Sequence, residues 1–252
     1  MPGQLLKGHN IKILQKMDKD SIDCTITSAP YNKQESKNAG QITKAVMYDF
    51  YSDNLPEGDY QQQQKWLLDE VYRVTKKGGH CFYNHKIRYD DGQAIAPWYW
   101  LRDTEWTIRQ EIVWDRILAS NIRGWRFWNV DERIYWLYKP HNDNDKGNEL
   151  KSHWAKMGSI WRFPPETKVK DHPAPFPTEL PRRILKALYP SGAGKVILDP
   201  YIGSGTTAVV AKELGHDYIG IDISEKYLKL AQARIDEAVR QDCSLTELFG
   251  DG

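Results

Sequence analysis

Apolar positions along the chain follow two periods that alternate from one segment to the next. Ile22-Asp23-Cys24-Thr25-Ile26-Thr27 is rich in β-formers and stops at Ser28-Ala29-Pro30, which predicts a buried strand running into an irregular loop. From Tyr60 to Thr75, Trp66, Leu67, Val71 and Val74 recur at helical spacing, with Gly78-Gly79 expected to end the helix. His80 to Asn84 predicts the next buried strand. Pro97 to Arg102 reads as a short helix, and Arg109 to Trp114 and Arg133 to Tyr138 as strands joined by a connection rich in Arg and Trp. Residues 141 to 177 are rich in turn formers and nearly aperiodic, so residues 141 to 171 are expected to form an insertion. Thr178 is expected to cap a helix over Glu179 to Tyr189. The chain then predicts a strand (Lys195 to Asp199), a helix (Thr206 to Leu214), a strand (Tyr218 to Ile223) and an amphipathic helix from Ser224 to about Arg240. Such alternation specifies an α/β fold, a mostly parallel twisted sheet with helices on both faces.

Composition narrows this picture. A length of 252 residues suits one α/β domain with insertions better than two domains and a linker. Mean hydropathy is -0.68, and no apolar run approaches the roughly 18 residues of a membrane span. The start Met1-Pro2-Gly3-Gln4-Leu5 lacks a basic region followed by an apolar stretch, so a cytoplasmic location is expected. Cys24, Cys81 and Cys243 lie too far apart for a zinc motif or a disulfide framework. A net charge of +1 says nothing about partners, because local clustering decides that. Nine of the ten tryptophans fall between Trp98 and Trp161, and more than half of these are expected to be core.

The sharpest local signal runs from Val196 to Thr207, a buried strand delivered into a glycine turn that opens a helix. Gly203, Gly205 and Ala208 fit G-x-G-x-x-G/A, whose small residues permit a tight turn and close approach of a ligand to backbone. Asp222 ends the following strand, where an acid can accept hydrogen bonds from the ribose hydroxyls of an adenosine ligand. The glycines alone suit a nicotinamide nucleotide equally, or a purely structural turn. Asp199, placed before them, suits the ammonium of a methionine moiety and would repel a pyrophosphate. This favours S-adenosylmethionine. In the first loop, the Ser28 hydroxyl and the Ala29 carbonyl can act as paired acceptors, with Pro30 holding Ala29 extended and Tyr31 offering a stacking ring. An ordinary turn leaving a strand would also use Ser and Pro. Both motifs end predicted parallel strands, where open α/β sheets bind ligands.

Together these motifs resemble the β-class DNA amino-methyltransferases, in which the catalytic loop precedes the cofactor motif. Ser28-Ala29-Pro30-Tyr31 is similar to the family's catalytic tetrad, and Asp199 to Thr207 to its Asp-Pro-Phe-x-Gly-Ser-Gly-Thr-Thr motif, with Tyr201 for Phe. The resemblance implies a circularly permuted Rossmann-like methyltransferase fold with an antiparallel edge strand, formed as one methyltransferase domain over residues 1 to 252. It also implies cofactor contacts from Asp199, Tyr201, Gly203, Ser204, Gly205, Thr206 and Asp222, and from His172 and Phe176 in the segment His172-Pro173-Ala174-Pro175-Phe176. Two positions depart from the pattern: Ala29 stands where the tetrad has its first proline, and Gly8-His9-Asn10 where the family often has Gly-Asp. A lone histidine such as His9 is more often structural than functional.

The reaction implied is methylation of the exocyclic amine of a flipped base in double-stranded DNA. Serine in the first tetrad position favours cytosine N4 over adenine N6. Cytosine carbon 5 is disfavoured because no cysteine sits in a Pro-Cys loop. Two segments are expected to meet DNA. Residues 151 to 170 carry Lys151, Lys156, Arg162, Lys168 and Lys170 against the single acid Glu166, which suits residues 141 to 171 to target recognition. Arg116, Arg123 and Arg126 lie with Trp125 and Trp128 in the second. Solvated charged loops would have the same composition. A non-catalytic DNA-binding partner with a drifted tetrad, and methylation of RNA or protein, are the competing classes. Related enzymes often form homodimers.

Overall fold

The computed structural model describes residues 3–32, 55–120, 124–150, 153–166, 177–190, 192 and 194–239. In chain order these form β1 (Gln4–Lys7), α1 (Asn10–Leu14), β2 (Ile22–Ser28), α2 (Glu57–Val74), β3 (Thr75–His85), β4 (Arg88–Asp90), β5 (Gln93–Ile95), α3 (Trp98–Leu101), β6 (Thr107–Ser120) and β7 (Asn129–Tyr138). After a 3-10 turn at His153–Lys156 come β8 (Ile160–Arg162), α4 (Glu179–Leu188), β9 (Val196–Asp199), α5 (Thr206–Glu213), β10 (Asp217–Asp222) and α6 (Glu225–Glu237).

Eight strands make one sheet in the order β1-β10-β9-β2-β3-β7-β6-β8, and β4 and β5 form a separate hairpin. The first five are parallel; β7 runs antiparallel between β3 and β6, and β8 lies parallel to β6 at the edge. Counted from β9 and continued through the N-terminus, the first seven positions read 3-2-1-4-5-7-6. That is a doubly wound sheet whose chain starts partway round, with the order reversing between β9 and β2.

Strand residues alternate between two buried faces, as expected of parallel strands covered on both sides. Cys81, Tyr83, Tyr135, Leu137 and Leu198 pack beneath α1, α2 and α3. Their chain neighbours Phe82, Ile134, Trp136 and Ile197 pack beneath α4 and α5. Of the nine clustered tryptophans, Trp100, Trp106, Trp114, Trp136 and Trp161 are buried, and Trp98, Trp125 and Trp128 are exposed.

Three expectations change. Helix α2 ends at Val74 and passes directly into β3, so Gly78-Gly79 lies inside the strand. A Cβ on Gly79 would stand 2.9 Å from the Asp23 carbonyl, so that glycine permits close packing against β2 instead of ending a helix. Thr178 already has helical backbone angles and its side chain makes no capping bond; capping needs the extended geometry that Ser224 adopts, accepting from the Tyr227 amide. Finally, the aperiodic segment after residue 141 supplies β8, which pairs with Val113, Trp114 and Asp115 of β6.

Candidate functional site

The glycine turn leaves β9 at Asp199 and enters α5 through Gly203 (φ 47°) and Gly205 (φ 84°), left-handed angles that favour glycine. A Cβ at Gly205 would lie 2.8 Å from Ala231 Cβ, so α6 packs directly against the turn. Arg234 of α6 donates to the Ser204 carbonyl (2.6 Å), Ser204 Oγ (2.9 Å) and Thr206 Oγ1 (3.2 Å). Asp222, ending β10, accepts from the Gly203 amide (3.0 Å) and the Ser224 amide (2.8 Å), which ties the acid to the turn.

Asp199 is 1% exposed. Its Oδ1 accepts from Thr27 Oγ1 (2.8 Å) and the Tyr201 amide (3.0 Å), and its Oδ2 from Thr207 Oγ1 (2.7 Å). Burial pushes its pKa up to about 6, with the three hydrogen bonds opposing and the Asp222 charge adding to the rise. The Thr27 bond also joins the two motifs, since Thr27 precedes Ser28 at the end of β2. Both loops therefore share the crevice at the point where strand order reverses.

On the other side of that crevice, Ser28 Oγ lies 2.9 Å from the Tyr31 hydroxyl, which donates to Glu132 Oε2 of β7 (2.8 Å). Asn84 Nδ2 of β3 reaches Glu132 Oε2 (2.9 Å), the Tyr31 hydroxyl (2.9 Å) and Ser28 Oγ (3.2 Å). Glu132 is 6% exposed and its other oxygen pairs with Arg116 at 3.1 Å. The loop is held from beneath. Tyr60 donates to the Pro30 carbonyl (2.7 Å) and lies 2.7 Å from His85 Nε2; Asn32, at φ 52°, exchanges two hydrogen bonds with the Leu55 backbone. Arg88, paired with Glu57 through both guanidinium ends, sits 4.7 Å from the Tyr60 ring centre. Burial and the Arg88 charge push the His85 pKa well down, so this ring is neutral. Ala29 is buried in the apolar cluster with Tyr60.

The structure thus gathers Ser28, Ala29, Pro30, Tyr31, Asp199, Tyr201, Gly203, Ser204, Gly205, Thr206 and Asp222 at and just beyond the carboxyl ends of β2, β9 and β10. Arg116 is half-buried against Glu132. Arg126 donates to the Asn129 side chain and lies over the Tyr89 and Trp125 rings. Arg162 is exposed and pairs with Asp115 at 2.7 Å, and Lys156 is exposed in the 3-10 turn. Arg123, Lys151, Lys168, Lys170, His172, Phe176 and Cys243 lie outside the described residues. His9 precedes α1 without capping it. Sequence reasoning missed Asn84, Glu132, Tyr60 and Arg234. The available signal was, for Asn84, a polar residue closing the continuous apolar run Cys81-Phe82-Tyr83.

A doubly wound sheet with a glycine turn at its switch point, beside a Ser-x-Pro-Tyr loop, defines a Rossmann-like methyltransferase. More narrowly, the chain belongs to the DNA methylase family of N6 and N4 methyltransferases, whose model matches residues 22–233. It is 29% identical to the type II methyltransferase M2.DpnII of Streptococcus pneumoniae, over 92% of this chain and 89% of that protein. It is 28% identical to the type II methyltransferase M.HpaI of Haemophilus parainfluenzae, over 94% and 75%. The fold matches the cytosine-N4-specific PvuII DNA methyltransferase with a TM-score of 0.73 at 16% identity, over 93% of this chain and 86% of that one. It also matches M1.HpyAVI, solved with S-adenosylmethionine, with a TM-score of 0.60 at 16% identity, over 92% and 98%. Among the described residues no helix is long and apolar enough to cross a membrane.

Proposed function

We propose that this chain transfers a methyl group from S-adenosylmethionine to the exocyclic amine of a flipped base in duplex DNA, with cytosine N4 as the acceptor. The observation that carries this reading is the Thr27–Asp199 hydrogen bond, which joins the end of β2, where the Ser28 loop begins, to the start of the glycine turn. The residues fit the cofactor: the turn has the left-handed glycines that let a ligand approach backbone, and a buried carboxylate and a second acid stand at its two ends. Bound there, S-adenosylmethionine supplies an electrophilic methyl group on a sulfonium.

The protein's own part is positioning. An exocyclic amine is a poor nucleophile because its lone pair is delocalised into the ring. Ser28 Oγ and the Ala29 carbonyl, as acceptors for its two hydrogens, favour the pyramidal nitrogen on which that lone pair is localised. Pro30, pinned through Tyr60, keeps the loop from drifting. Serine at this position and the likeness to a cytosine-N4-specific fold support N4 over N6.

β6 ends and β7 begins on the side of the sheet where β2 and β3 end, and the last residues of β6 with the connection that follows expose Ile117, Leu118, Trp125, Phe127 and Trp128. With Arg126, Arg123 and Arg116 these make the DNA-facing surface in our reading, and residues 141 to 171, with Lys151, Lys156 and Arg162, make the second contact. A DNA substrate would place the activity in the cytoplasm. Labelled S-adenosylmethionine and mixed-sequence duplex DNA, followed by digestion to nucleosides, test the proposal. N4-methylcytosine is expected; N6-methyladenine would move the acceptor base, and neither product would refute the function.

A further inference from the structure

We infer that Glu132 fixes the direction of every hydrogen bond in the catalytic network, and by doing so makes Ser28 an acceptor towards the substrate amine. This rests on the amino-methyltransferase reading above. An ionised carboxylate can only accept. The single hydrogen of the Tyr31 hydroxyl goes to Glu132 Oε2, so in the 2.9 Å contact between Ser28 and Tyr31 the serine must be the donor. Its hydrogen therefore points inward.

Asn84 agrees with this direction. Its amide nitrogen, not its oxygen, must face Glu132, since two acceptors 2.9 Å apart would repel. The two amide hydrogens are then shared among three acceptors, Glu132 Oε2, the Tyr31 hydroxyl and, at the longest distance of 3.2 Å, Ser28 Oγ. That orientation also leaves Asn84 Oδ1 buried and without a hydrogen-bond partner, a cost the side chain bears because Glu132 dictates its orientation. Ser28 Oγ, with its hydrogen committed to Tyr31 and one lone pair turned to Asn84, presents its second lone pair to an incoming N–H.

Two cations flank the network. Arg116 from β6 binds Glu132 Oε1 at 3.1 Å, and Lys86 stands 5.4 Å from the Tyr31 ring centre. With an uncharged group at position 132 that can also donate, the chain of hydroxyls can reverse. Tyr31 would then donate to Ser28, and the Ser28 hydrogen would face the amine, donor against donor. Glu132 is thus a positioning residue, acting through Tyr31 on Ser28 without touching the base.

The test is a double-mutant cycle on duplex DNA carrying the methylated sequence, with kcat and KM measured separately. Glu132→Gln is expected to lower kcat on the order of 10²-fold, the scale of losing one oriented hydrogen-bonding group in an active site, with KM for DNA and cofactor within about threefold. In a Ser28→Ala background the same change should alter kcat less than about threefold, because the two act as one unit. Losses that multiply would overturn the proposal and leave Glu132 a structural counter-ion of Arg116. Tyr31→Phe cuts the link without disturbing Glu132, and parent-like kcat in that variant would overturn it too. An arm independent of activity uses protein labelled with 13C at tyrosine Cζ, with the Tyr31 resonance assigned by its loss in Tyr31→Phe. That resonance must shift in Glu132→Gln; an unchanged resonance refutes the polarity argument even if the chain proves to methylate something other than DNA.

Discussion

Replacing Asp199 by asparagine should stabilise the protein at neutral pH while weakening its cofactor site. The folded-state pKa of about 6 lies above the ordinary carboxylate value of 3.8, so between those values the folded protein holds a proton that the unfolded chain has released. Stability therefore falls as pH rises through this window, and the loss is complete above the folded pKa. A gap of about two pKa units corresponds to roughly 3 kcal/mol, an upper bound because buried carboxylates relax. Asparagine fits the same bonds. Its Oδ1 can accept from Thr27 and the Tyr201 amide, and its Nδ2 can donate to Thr207 Oγ1, whose own hydrogen turns to the Ile26 carbonyl 3.3 Å away. Thermal unfolding of the ligand-free parent and Asp199→Asn from pH 4 to pH 8 is the assay. The variant's advantage should be small near pH 4 and grow to at most roughly 6–12 °C by pH 7.5, at about 2–4 °C per kcal/mol for a chain of this size. A constant difference across the range, or a variant less stable at pH 7.5 than at pH 4 relative to the parent, would refute the reasoning. Calorimetry should show S-adenosylmethionine binding at least tenfold weaker in the variant, because the buried charge is retained for a cationic ligand.

Gly205→Ala must place a methyl 2.8 Å from Ala231 Cβ at φ 84°, so chemical denaturation should show a loss of about 1–3 kcal/mol and titration a weaker cofactor site. Glu57→Ala leaves the Arg88 guanidinium buried beneath Tyr60 without its carboxylate; a loss of about 3–5 kcal/mol is expected, and a change under 1 kcal/mol would show that Arg88 finds water instead. Phe127 is 97% exposed, so Phe127→Ala should leave stability within about 0.5 kcal/mol and weaken duplex binding by roughly 1–3 kcal/mol in anisotropy titrations. Sedimentation of the same variant shows whether the patch instead joins two copies of the chain.

The segments legible in the sequence are those whose determinants are local. Strand β9, its glycine turn, α5, β10 and α6 are each marked by neighbours in sequence: a short apolar run, glycines at left-handed angles, an Asp at a strand end and a capping Ser224. The loop at Ser28 is local in the same way. Glu132, Asn84, Tyr60 and Arg234 act across the sheet or between helices. Tyr31 and Glu132 are 101 positions apart, and no periodicity within either segment predicts their meeting. The four-residue strand β1 and the β4–β5 hairpin are too short for a period to show.

Polar strand ends also bear on how the sheet keeps its register. In β7 the residues on both faces are apolar, Ile134 and Trp136 on one and Tyr135 and Leu137 on the other, so a one-residue slip would exchange apolar for apolar and meet little opposition from polarity alone. The opposition comes from the strand ends. In the observed pairing Ser28 lies opposite Asn84 and Asn84 opposite Ile134, which places Glu132 two residues beyond, on the face that carries Ile26, Phe82 and Ile134. A slip would carry Glu132 to the other face, strand its charge away from Arg116, Tyr31 and Asn84, and leave an unpaired buried carboxylate at a cost of several kcal/mol. The residues that orient Ser28 for chemistry therefore also make the correct strand pairing the favoured one. Glu132→Leu, which abolishes the catalytic network, should for the same reason broaden amide resonances along β3 and β7 more than a cavity-free apolar substitution at a comparable depth, such as Ile134→Val.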